Sequence, residues 1–268
     1  MALAGEQEGA GPPVVLLHGL TATRRYVLMG SRLLSRSGLQ VVAYDARGHG
    51  RSAPAAQRDA YGYELLAADL EALLDGLGLE RAILAGASMG AHTALRFALA
   101  HPRRVLALCV ITPAYDPQEH RRRAELARWD ALAQGLREGG VEGFVRAYDL
   151  AAVPARWRET VQTVLRQRLS AHSHPDAVAD ALEAVPRSRP FDALEQLAQI
   201  AAPTIVVASR DEADPGHPLA VGERYARAIP GARLLVEDDG APLAWRGGAL
   251  SRVILDLARA WRVHAGHS

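Results

Sequence analysis

Short apolar runs alternate along this chain with longer segments in which apolar residues recur every three to four positions. The runs are closely followed by glycine, proline or acidic residues, and they cover residues 14–17, 40–44, 82–85, 105–111, 204–208 and 233–236. Strands that alternate with helical segments are typical of βαβ units in a parallel sheet. In open sheets of this kind, ligands bind at the carboxyl ends of the strands. The pattern therefore predicts an α/β protein with a mostly parallel sheet of about six to seven strands and helices on both faces.

The segments between the runs predict helices at residues 25–37, 63–77, 91–100, 219–229 and 249–263. Residues 113–190 break the alternation, because they contain helical patterns with no convincing strand between them, at 119–136, 141–148, 156–171 and 176–185. We therefore expect residues 1–112 and 191–268 to form a core domain. Residues 113–190 would be inserted into it as a helical cap above the strand ends.

Composition narrows the classes of function. An apolar fraction of 49% is ample for a packed core, and a net charge of +1 with interspersed acids and bases argues against nucleic acid as the main partner. The chain contains no lysine, which excludes Schiff-base and pyridoxal phosphate chemistry. The single cysteine, Cys109, lies in an apolar run and is expected to be a buried small hydrophobe rather than a nucleophile.

The chain has neither an apolar window long enough to cross a membrane nor a signal-peptide pattern in residues 1–11. We therefore expect a cytoplasmic protein whose partner is a small-molecule substrate or ligand, and neither nucleic acid nor a membrane. The sequence leaves a monomer and a homodimer equally open.

The candidate chemistry centres on the sequence Gly86-Ala87-Ser88-Met89-Gly90, which lies between a predicted strand and a predicted helix. This is the G-x-S-x-G pattern of a nucleophile elbow, in which a sharp strand-to-helix turn lifts the serine hydroxyl clear of the sheet. The glycines flank Ser88 because such a turn leaves no room there for a Cβ. The helix that follows directs its N-terminal N–H groups at any oxyanion formed beside the serine.

Three further stretches follow the predicted strands: His18-Gly19, the octapeptide Asp45-Ala46-Arg47-Gly48-His49-Gly50-Arg51-Ser52, and Ser209-Arg210-Asp211. Together with the elbow, their order and spacing resemble the α/β-hydrolase fold superfamily, in the branch of serine esterases and lactonases that carries a helical cap. The resemblance covers nearly the whole chain. It implies that the usual two N-terminal strands are missing or reduced to one, because only about a dozen residues precede the first predicted strand.

The resemblance also implies roles for individual residues. Ser88 would attack a carbonyl carbon, and the backbone N–H groups of Met89 and Leu20 would hold the resulting oxyanion. His18 and Gly19 would form a wall of the site beside these donors. Asp45 and Arg47 look like the family's loop-bracing pair, below the site.

The resemblance assigns the acid that orients the catalytic histidine to Asp211, at the end of a predicted strand. Asp214 and Asp116 are the second and third choices, and a loop-capping role for Asp211 stays open. The base of such enzymes follows the last strand, usually as Gly-His. Here Ala241 follows Gly240, and no histidine occurs between residues 218 and 263. This departure matters because an unassisted serine hydroxyl is a poor nucleophile.

Four accounts of the missing base stay open. His217, on the loop after Asp211, replaces it, although a plain loop role for this histidine is the simpler interpretation. Alternatively, a histidine from the cap region reaches Ser88, with His120, His172 and His174 as candidates. In a third account Ala241 marks a member that lost its histidine by mutation or descent. In the fourth, Ser88 binds a ligand rather than attacking it.

The sequence therefore predicts a cofactor-free serine hydrolase that cleaves a small or medium, mostly apolar ester, lactone or related acyl compound. Its catalytic residues would be Ser88, Asp211 and His217. The alternative is a catalytically impaired or base-lacking member that binds a small molecule or performs a non-hydrolytic reaction in the same pocket. No pair of histidines has the spacing of a zinc site, so no metal is expected.

Overall fold

A seven-stranded sheet runs through the computed structural model, which describes residues 1–120, 122–210, 215–237 and 242–265, the last four of these by backbone alone. The strands, in chain order, are β1 (Gly5–Glu8), β2 (Pro13–Leu17), β3 (Gln40–Tyr44), β4 (Ala82–Ala87), β5 (Val105–Ile111), β6 (Thr204–Ala208) and β7 (Arg233–Val236). Their spatial order is β1-β3-β2-β4-β5-β6-β7, and every pairing is parallel except that of β1 with β3. This confirms the predicted mostly parallel α/β sheet.

The helices are α1 (Leu33–Arg36), α2 (Tyr63–Gly76), α3 (Met89–Ala100), α4 (Arg123–Ala147), α5 (Ala155–Leu169), α6 (Pro175–Ala184), α7 (Leu219–Ala228) and α8 (Gly247–Ala265). Short 3-10 turns lie at Arg24–Tyr26, Pro102–Arg104, Leu150–Ala152, Val185–Arg187, Leu194–Gln199 and Leu243–Trp245. One face of the sheet packs against α2, α3 and α7, and the other against α1 and α8. Helices therefore cover both faces, as predicted.

The strand β1 was not predicted as such, and it supplies the single N-terminal strand that the resemblance allowed. Its sequence, Gly-Glu-Gln-Glu, contains no apolar residue. The strand is held to the edge of the sheet by antiparallel main-chain pairing with β3. A hydrophobic pattern does not reveal a strand of this kind, because its stability comes from backbone hydrogen bonds.

The helix predicted at 25–37 was wrong over most of its length. Met29 and Gly30 have φ angles of 49° and 79°, which are incompatible with a right-handed helix. The segment instead forms the 3-10 turn Arg24–Tyr26 and the short helix α1. Val27 and Leu28 are buried between them, so their apolar spacing reflects the packing of a loop onto the sheet.

The segment 113–190 contains helices and 3-10 turns, and within its described residues no strand. The patterns at 119–136 and 141–148 correspond to the two helical stretches of α4, which are separated at Gly140, where the backbone is not helical (φ 56°, ψ −146°). Buried apolar residues of α4, α5 and α6 pack together in one cluster. That cluster also includes Leu20 and Met89, the predicted oxyanion donors. The segment is therefore continuous with the side of the sheet that carries the elbow.

Asp45 and Arg47, predicted to brace a loop below the site, each bind a separate partner. Arg24 forms an ion pair with Asp45, and Arg47 makes two 2.7 Å hydrogen bonds to the carboxylate of Asp69. Both contacts brace the loop after β3.

Cys109 lies fully buried in β5, where burial raises the pKa of its thiol to about 12. It is therefore an inert core residue, as predicted. None of the helices in the described part of the chain combines the length and the apolar composition that a membrane crossing requires.

Candidate active site

The turn between β4 and α3 places Ser88 at the carboxyl edge of the sheet. Its backbone has φ 51° and ψ −113°, a conformation that is uncommon for a residue with a side chain. A Cβ added to Gly86 would lie 2.2 Å from the carbonyl oxygen of Gly90, and one added to Gly90 would lie 2.2 Å from that of Leu17. Both glycines are therefore required by close backbone approach, which is the physical reason for the G-x-S-x-G pattern.

A histidine side chain contacts the Ser88 hydroxyl. His217 Nε2 lies 2.8 Å from Ser88 Oγ, a hydrogen-bonding distance at which the imidazole can accept the hydroxyl proton. His217 lies after β6 and shortly before α7, whereas the family pattern carries its histidine after the last strand. The contact spans 129 positions of the chain.

Two of the three candidate acids, Asp211 and Asp214, lie outside the described residues. Ala241, at the family's usual histidine position, also lies outside them. The carboxylate of Asp116, the third choice, accepts a 2.6 Å hydrogen bond from Arg224 Nη2 on α7. Asp116 therefore serves an ion pair on the side of the sheet covered by α7.

The loop after β2 lies directly against the elbow. A Cβ placed on Gly19 would be 3.5 Å from the Cβ of Ser88, so the two backbones are neighbours. Met89 is the first residue of α3, where backbone N–H groups have no partner within the helix. The predicted donors, the N–H groups of Leu20 and Met89, thus belong to two segments that meet beside Ser88.

Three buried or partly buried histidines brace this loop from behind. His18 Nε2 accepts a hydrogen bond from the Ala46 N–H, and its Nδ1 donates to the Gly19 carbonyl at 2.8 Å. His49 Nε2 lies 2.6 Å from the carbonyl oxygen of Leu20. His172 accepts from the Gly50 N–H and donates to the Thr21 carbonyl. The structure thus places His18 behind the loop that contains Gly19 and Leu20.

The histidines of the segment 113–190 contact other groups. Both ring nitrogens of His172 are hydrogen bonded to the backbone of the loops after β2 and β3. The ring of His120 packs 5.4 Å from that of Tyr115, and His174 is an exposed residue at the start of α6. Among the histidines of the described chain, the one hydrogen bonded to Ser88 Oγ is His217.

His92, one turn after Ser88 on α3, is a structural residue. Its Nε2 accepts hydrogen bonds from the backbone N–H groups of Ala114 and Tyr115, and its Nδ1 lies 3.1 Å from the Tyr63 hydroxyl. Burial, with a smaller contribution from His217, lowers the pKa of His92 to about 3. Burial likewise lowers the pKa of His172 to about 4.

These shifts predict a loss of stability in mild acid. In the unfolded chain both histidines protonate near pH 6.5, whereas in the folded protein His92 and His172 protonate near pH 3 and pH 4. Between these limits the unfolded state binds more protons, so the free energy of unfolding falls as the pH decreases below about 6.5. Each histidine contributes a slope of up to about 1.4 kcal/mol per pH unit.

Urea unfolding at pH 7.5, 6 and 5 measures this dependence. The variant His92→Gln keeps an acceptor for the two backbone N–H groups and cannot titrate. We expect its stability to depend less steeply on pH than that of the wild-type protein. Equal slopes for the two proteins would contradict the assignment.

A cavity of about 70 Å³ opens beside Ser88. Its lining comes from the loop after β2, the elbow, the end of β5, α5, the loop after β6 and the turn before α8. In chain order the lining residues are Gly19, Ala22, Tyr26, Val27, Met29, Ala87, Ser88, Ile111, Thr112, Arg168, Ser209, His217, Pro242, Ala244 and Trp245. Within the described part of the chain, no cluster of three or more His, Cys, Asp and Glu side chains is arranged to hold a metal ion.

Two residues that shape the site, Arg168 and Glu237, were not predicted from the sequence. Arg168, on α5, lines the cavity with its guanidinium 5.6 Å above the ring of Tyr26. Glu237, buried at the end of β7, accepts hydrogen bonds from Ser209 Oγ and the Arg210 N–H at 2.7 and 2.5 Å. Glu237 therefore ties the end of β7 to the loop that leads to His217. Its position directly after a predicted strand was the signal available in the sequence.

The chain is similar to known proteins in both sequence and fold. The model of the α/β hydrolase fold family matches residues 12–244. The 2-hydroxy-6-oxononadienedioate/2-hydroxy-6-oxononatrienedioate hydrolase 2 of Pseudomonas putida is 35% identical over 93% of this chain and 88% of its own length. A thermophilic esterase from Thermogutta terrifontis is 26% identical, with a TM-score of 0.79 over 97% of this chain and 93% of the esterase. The enol-lactonase from Burkholderia xenovorans is 25% identical, with a TM-score of 0.75 over 96% of each chain.

The family match spans most of the sequence and includes both the elbow and His217. The relatives are named as hydrolases that differ in substrate, so the fold and the general class of reaction are what they share with this chain. The chain belongs to the α/β-hydrolase family and is a hydrolase.

Proposed function

We propose that this protein is a cofactor-free serine hydrolase whose base is His217, and that it cleaves small or medium acyl compounds such as esters and lactones. The observation that carries the proposal is the 2.8 Å contact between His217 Nε2 and Ser88 Oγ. A serine hydroxyl gains nucleophilicity when an adjacent base can remove its proton. The contact supplies such a base from a loop other than the one used in the family pattern.

The first half of the reaction forms an acyl-enzyme. Ser88 Oγ attacks the substrate carbonyl carbon while His217 Nε2 accepts the hydroxyl proton. The N–H groups of Met89 and Leu20 hold the negative oxygen of the tetrahedral intermediate. Collapse of the intermediate expels the alkoxide of the substrate, which takes the proton from the imidazolium of His217 and leaves as an alcohol.

The second half releases the acid. His217 removes a proton from a water molecule while the water oxygen attacks the acyl carbon. The imidazolium of His217 then returns this proton to Ser88 Oγ, which leaves as the restored hydroxyl. In this proposal Asp211 orients the imidazole and stabilises its charged form. His18, His49 and His172 hold the carbonyls of the loop that contains Leu20, so that its N–H is preorganised.

The cavity supports a small acyl group. Its volume of about 70 Å³ fits a short acyl chain, to which Ala22, Val27 and Ile111 offer apolar contacts. Arg168, Thr112 and Ser209 add polar groups to the same lining. We propose that the segment 113–190 acts as a cap, since α5 contributes Arg168 to the same cavity. A small-molecule substrate is then the partner of this site.

Hydrolysis of p-nitrophenyl acetate, butanoate and octanoate tests the proposal. We expect turnover of the two short esters and weaker activity on octanoate. A fluorophosphonate should label Ser88 and increase the mass of the protein by one phosphonyl group. Ser88→Ala should remove both turnover and labelling. Turnover that survives in Ser88→Ala would overturn the proposal.

The alternative, a member that lacks an effective base, is favoured by Ala241 at the family's usual histidine position. It predicts a burst of one equivalent of p-nitrophenol without steady turnover, because acylation outpaces deacylation. It also predicts a large gain in rate from Ala241→His. If His217 is the base, turnover should be steady and Ala241→His should give little gain, since Ser88 Oγ already contacts His217.

A further inference from the structure

Backbone strain in the described chain is concentrated around one cavity. Three non-glycine residues have a positive φ among those described: Met29 at 49°, Ser88 at 51° and Thr112 at 43°. All three line the cavity beside the Ser88 hydroxyl. Strained backbone persists where the surrounding structure enforces it, and it clusters at binding and catalytic sites. The nucleophile elbow explains the positive φ of Ser88, but it does not explain the positive φ of Thr112.

Thr112 is the least expected of the three. It is β-branched, and such residues rarely adopt the left-handed region because their Cβ substituents crowd the backbone. Glycine would adopt the same backbone without a steric penalty. A threonine in this place therefore needs an explanation in terms of its side chain.

The backbone around Thr112 is fixed by the neighbouring strands. Its N–H donates to the Val207 carbonyl of β6 at 2.7 Å, and the preceding carbonyl, that of Ile111, accepts from the Ser88 N–H at 2.9 Å. Thr112 is thereby held between the end of β6 and the nucleophile. Its hydroxyl makes no hydrogen bond with any residue in the described ranges, and the residue is half-buried.

We propose that Thr112 is a specificity-determining residue, whose hydroxyl donates a hydrogen bond to an oxygen that the substrate carries near its scissile carbonyl. The enzyme would then prefer acyl groups with an ether, hydroxyl or oxo oxygen over plain alkanoyl groups of the same size. This inference rests on the proposed hydrolase function. It adds to that function the class of acyl group that the site selects.

A pair of isosteric esters tests it. The methoxyacetyl and butanoyl groups have the same number of heavy atoms, and the first has an ether oxygen where the second has a methylene. We measure the ratio of kcat/KM for p-nitrophenyl methoxyacetate to that for p-nitrophenyl butanoate in each variant. Intrinsic differences in ester reactivity cancel when the ratios of two variants are compared.

Thr112→Val keeps the branched shape and removes the hydroxyl, so we expect the ratio to fall about two- to tenfold, the range of one neutral hydrogen bond. Thr112→Ser keeps the hydroxyl and should keep the ratio within about twofold of wild type. Thr112→Gly relieves the strained backbone, and it should raise the thermal unfolding midpoint and lower the ratio as well. Because Thr112→Gly is expected to fold readily, the test does not depend on the stability of the valine variant.

The outcomes separate the two proposals. If the wild-type protein hydrolyses both esters and the ratio is unchanged in Thr112→Val and Thr112→Gly, the role of Thr112 is overturned and the hydrolase function stands. If the wild-type protein hydrolyses neither ester, the proposed function itself fails. Active-site titration with a fluorophosphonate normalises the rates, so that a loss of folded protein does not imitate a change in specificity.

Discussion

Replacing His217 with alanine is expected to lower kcat for p-nitrophenyl butanoate by about ten-thousandfold or more, with KM changed little. Loss of the histidine from a serine–histidine pair removes both the base that activates the hydroxyl and the acid that protonates the leaving group. Both roles depend on the 2.8 Å contact with Ser88 Oγ. His217 is only partly buried, on a loop outside the sheet, so the substitution should leave the fold intact.

The matched control is His174→Ala, since His174 is also a loop histidine and is exposed at the start of α6. We expect its kcat to stay within about twofold of wild type. Thermal unfolding of both variants should resemble that of the wild-type protein. Steady turnover by His217→Ala at a tenth of the wild-type rate or more would show that another group acts as base, and the proposed mechanism would be wrong.

The sequence predicted the parts of the site that depend on local geometry. Ser88 could be identified because an elbow requires glycines where Gly86 and Gly90 stand, and the structure shows backbone atoms 2.2 Å from the position of each missing Cβ. The strands could be identified because parallel strands are buried on both faces and form continuous apolar runs. Four of the six predicted strands are reproduced to the residue, and the other two, β2 and β4, are extended at one end by one and two residues.

What depends on the meeting of distant loops could not be predicted in the same way. The sequence offered His217 as one of four accounts, and its contact with Ser88 arises only when the loop after β6 folds across 129 positions. Thr112 and Arg168 line the cavity for the same reason, because their elements converge only in three dimensions. The partners of Asp45 and Arg47 were also decided by tertiary packing, since Arg24 and Asp69 lie more than twenty positions away.

The helix predicted at 25–37 shows the limit of apolar spacing as a signal. Val27, Leu28 and Leu34 are buried, as a helix face would be, but the positive φ angles at Met29 and Gly30 make the chain a loop. The loop brings Tyr26, Val27 and Met29 to the cavity. Local propensity was overridden here by packing against the sheet, at a segment that lines the candidate site.

Replacing Gly90 with alanine is expected to destabilise the protein by about 3 kcal/mol or more, which is at the upper end for overpacking a core. The added Cβ would lie 2.2 Å from the Leu17 carbonyl oxygen and 2.5 Å from its carbon. Leu17 ends β2, which is hydrogen bonded between β3 and β4, so its backbone cannot move without disrupting the middle of the sheet. Urea unfolding at pH 7.5 measures the difference in the free energy of unfolding between the variant and the wild-type protein. At this pH the buried histidines do not lower the stability of either protein.

Gly76→Ala is the matched control, because Gly76 ends α2 and a Cβ there would meet nothing within 4 Å. We expect that variant to be as stable as wild type or more stable by up to about 1 kcal/mol, since alanine favours the helix and restricts the unfolded chain. A Gly90→Ala protein within about 1 kcal/mol of wild type would contradict the close approach of the elbow to β2. The same approach holds the start of α3 against the loop that contains Gly19 and Leu20. Activity of Gly90→Ala, normalised to folded protein, should therefore fall together with its stability, because the Met89 N–H would be displaced from its place beside Ser88.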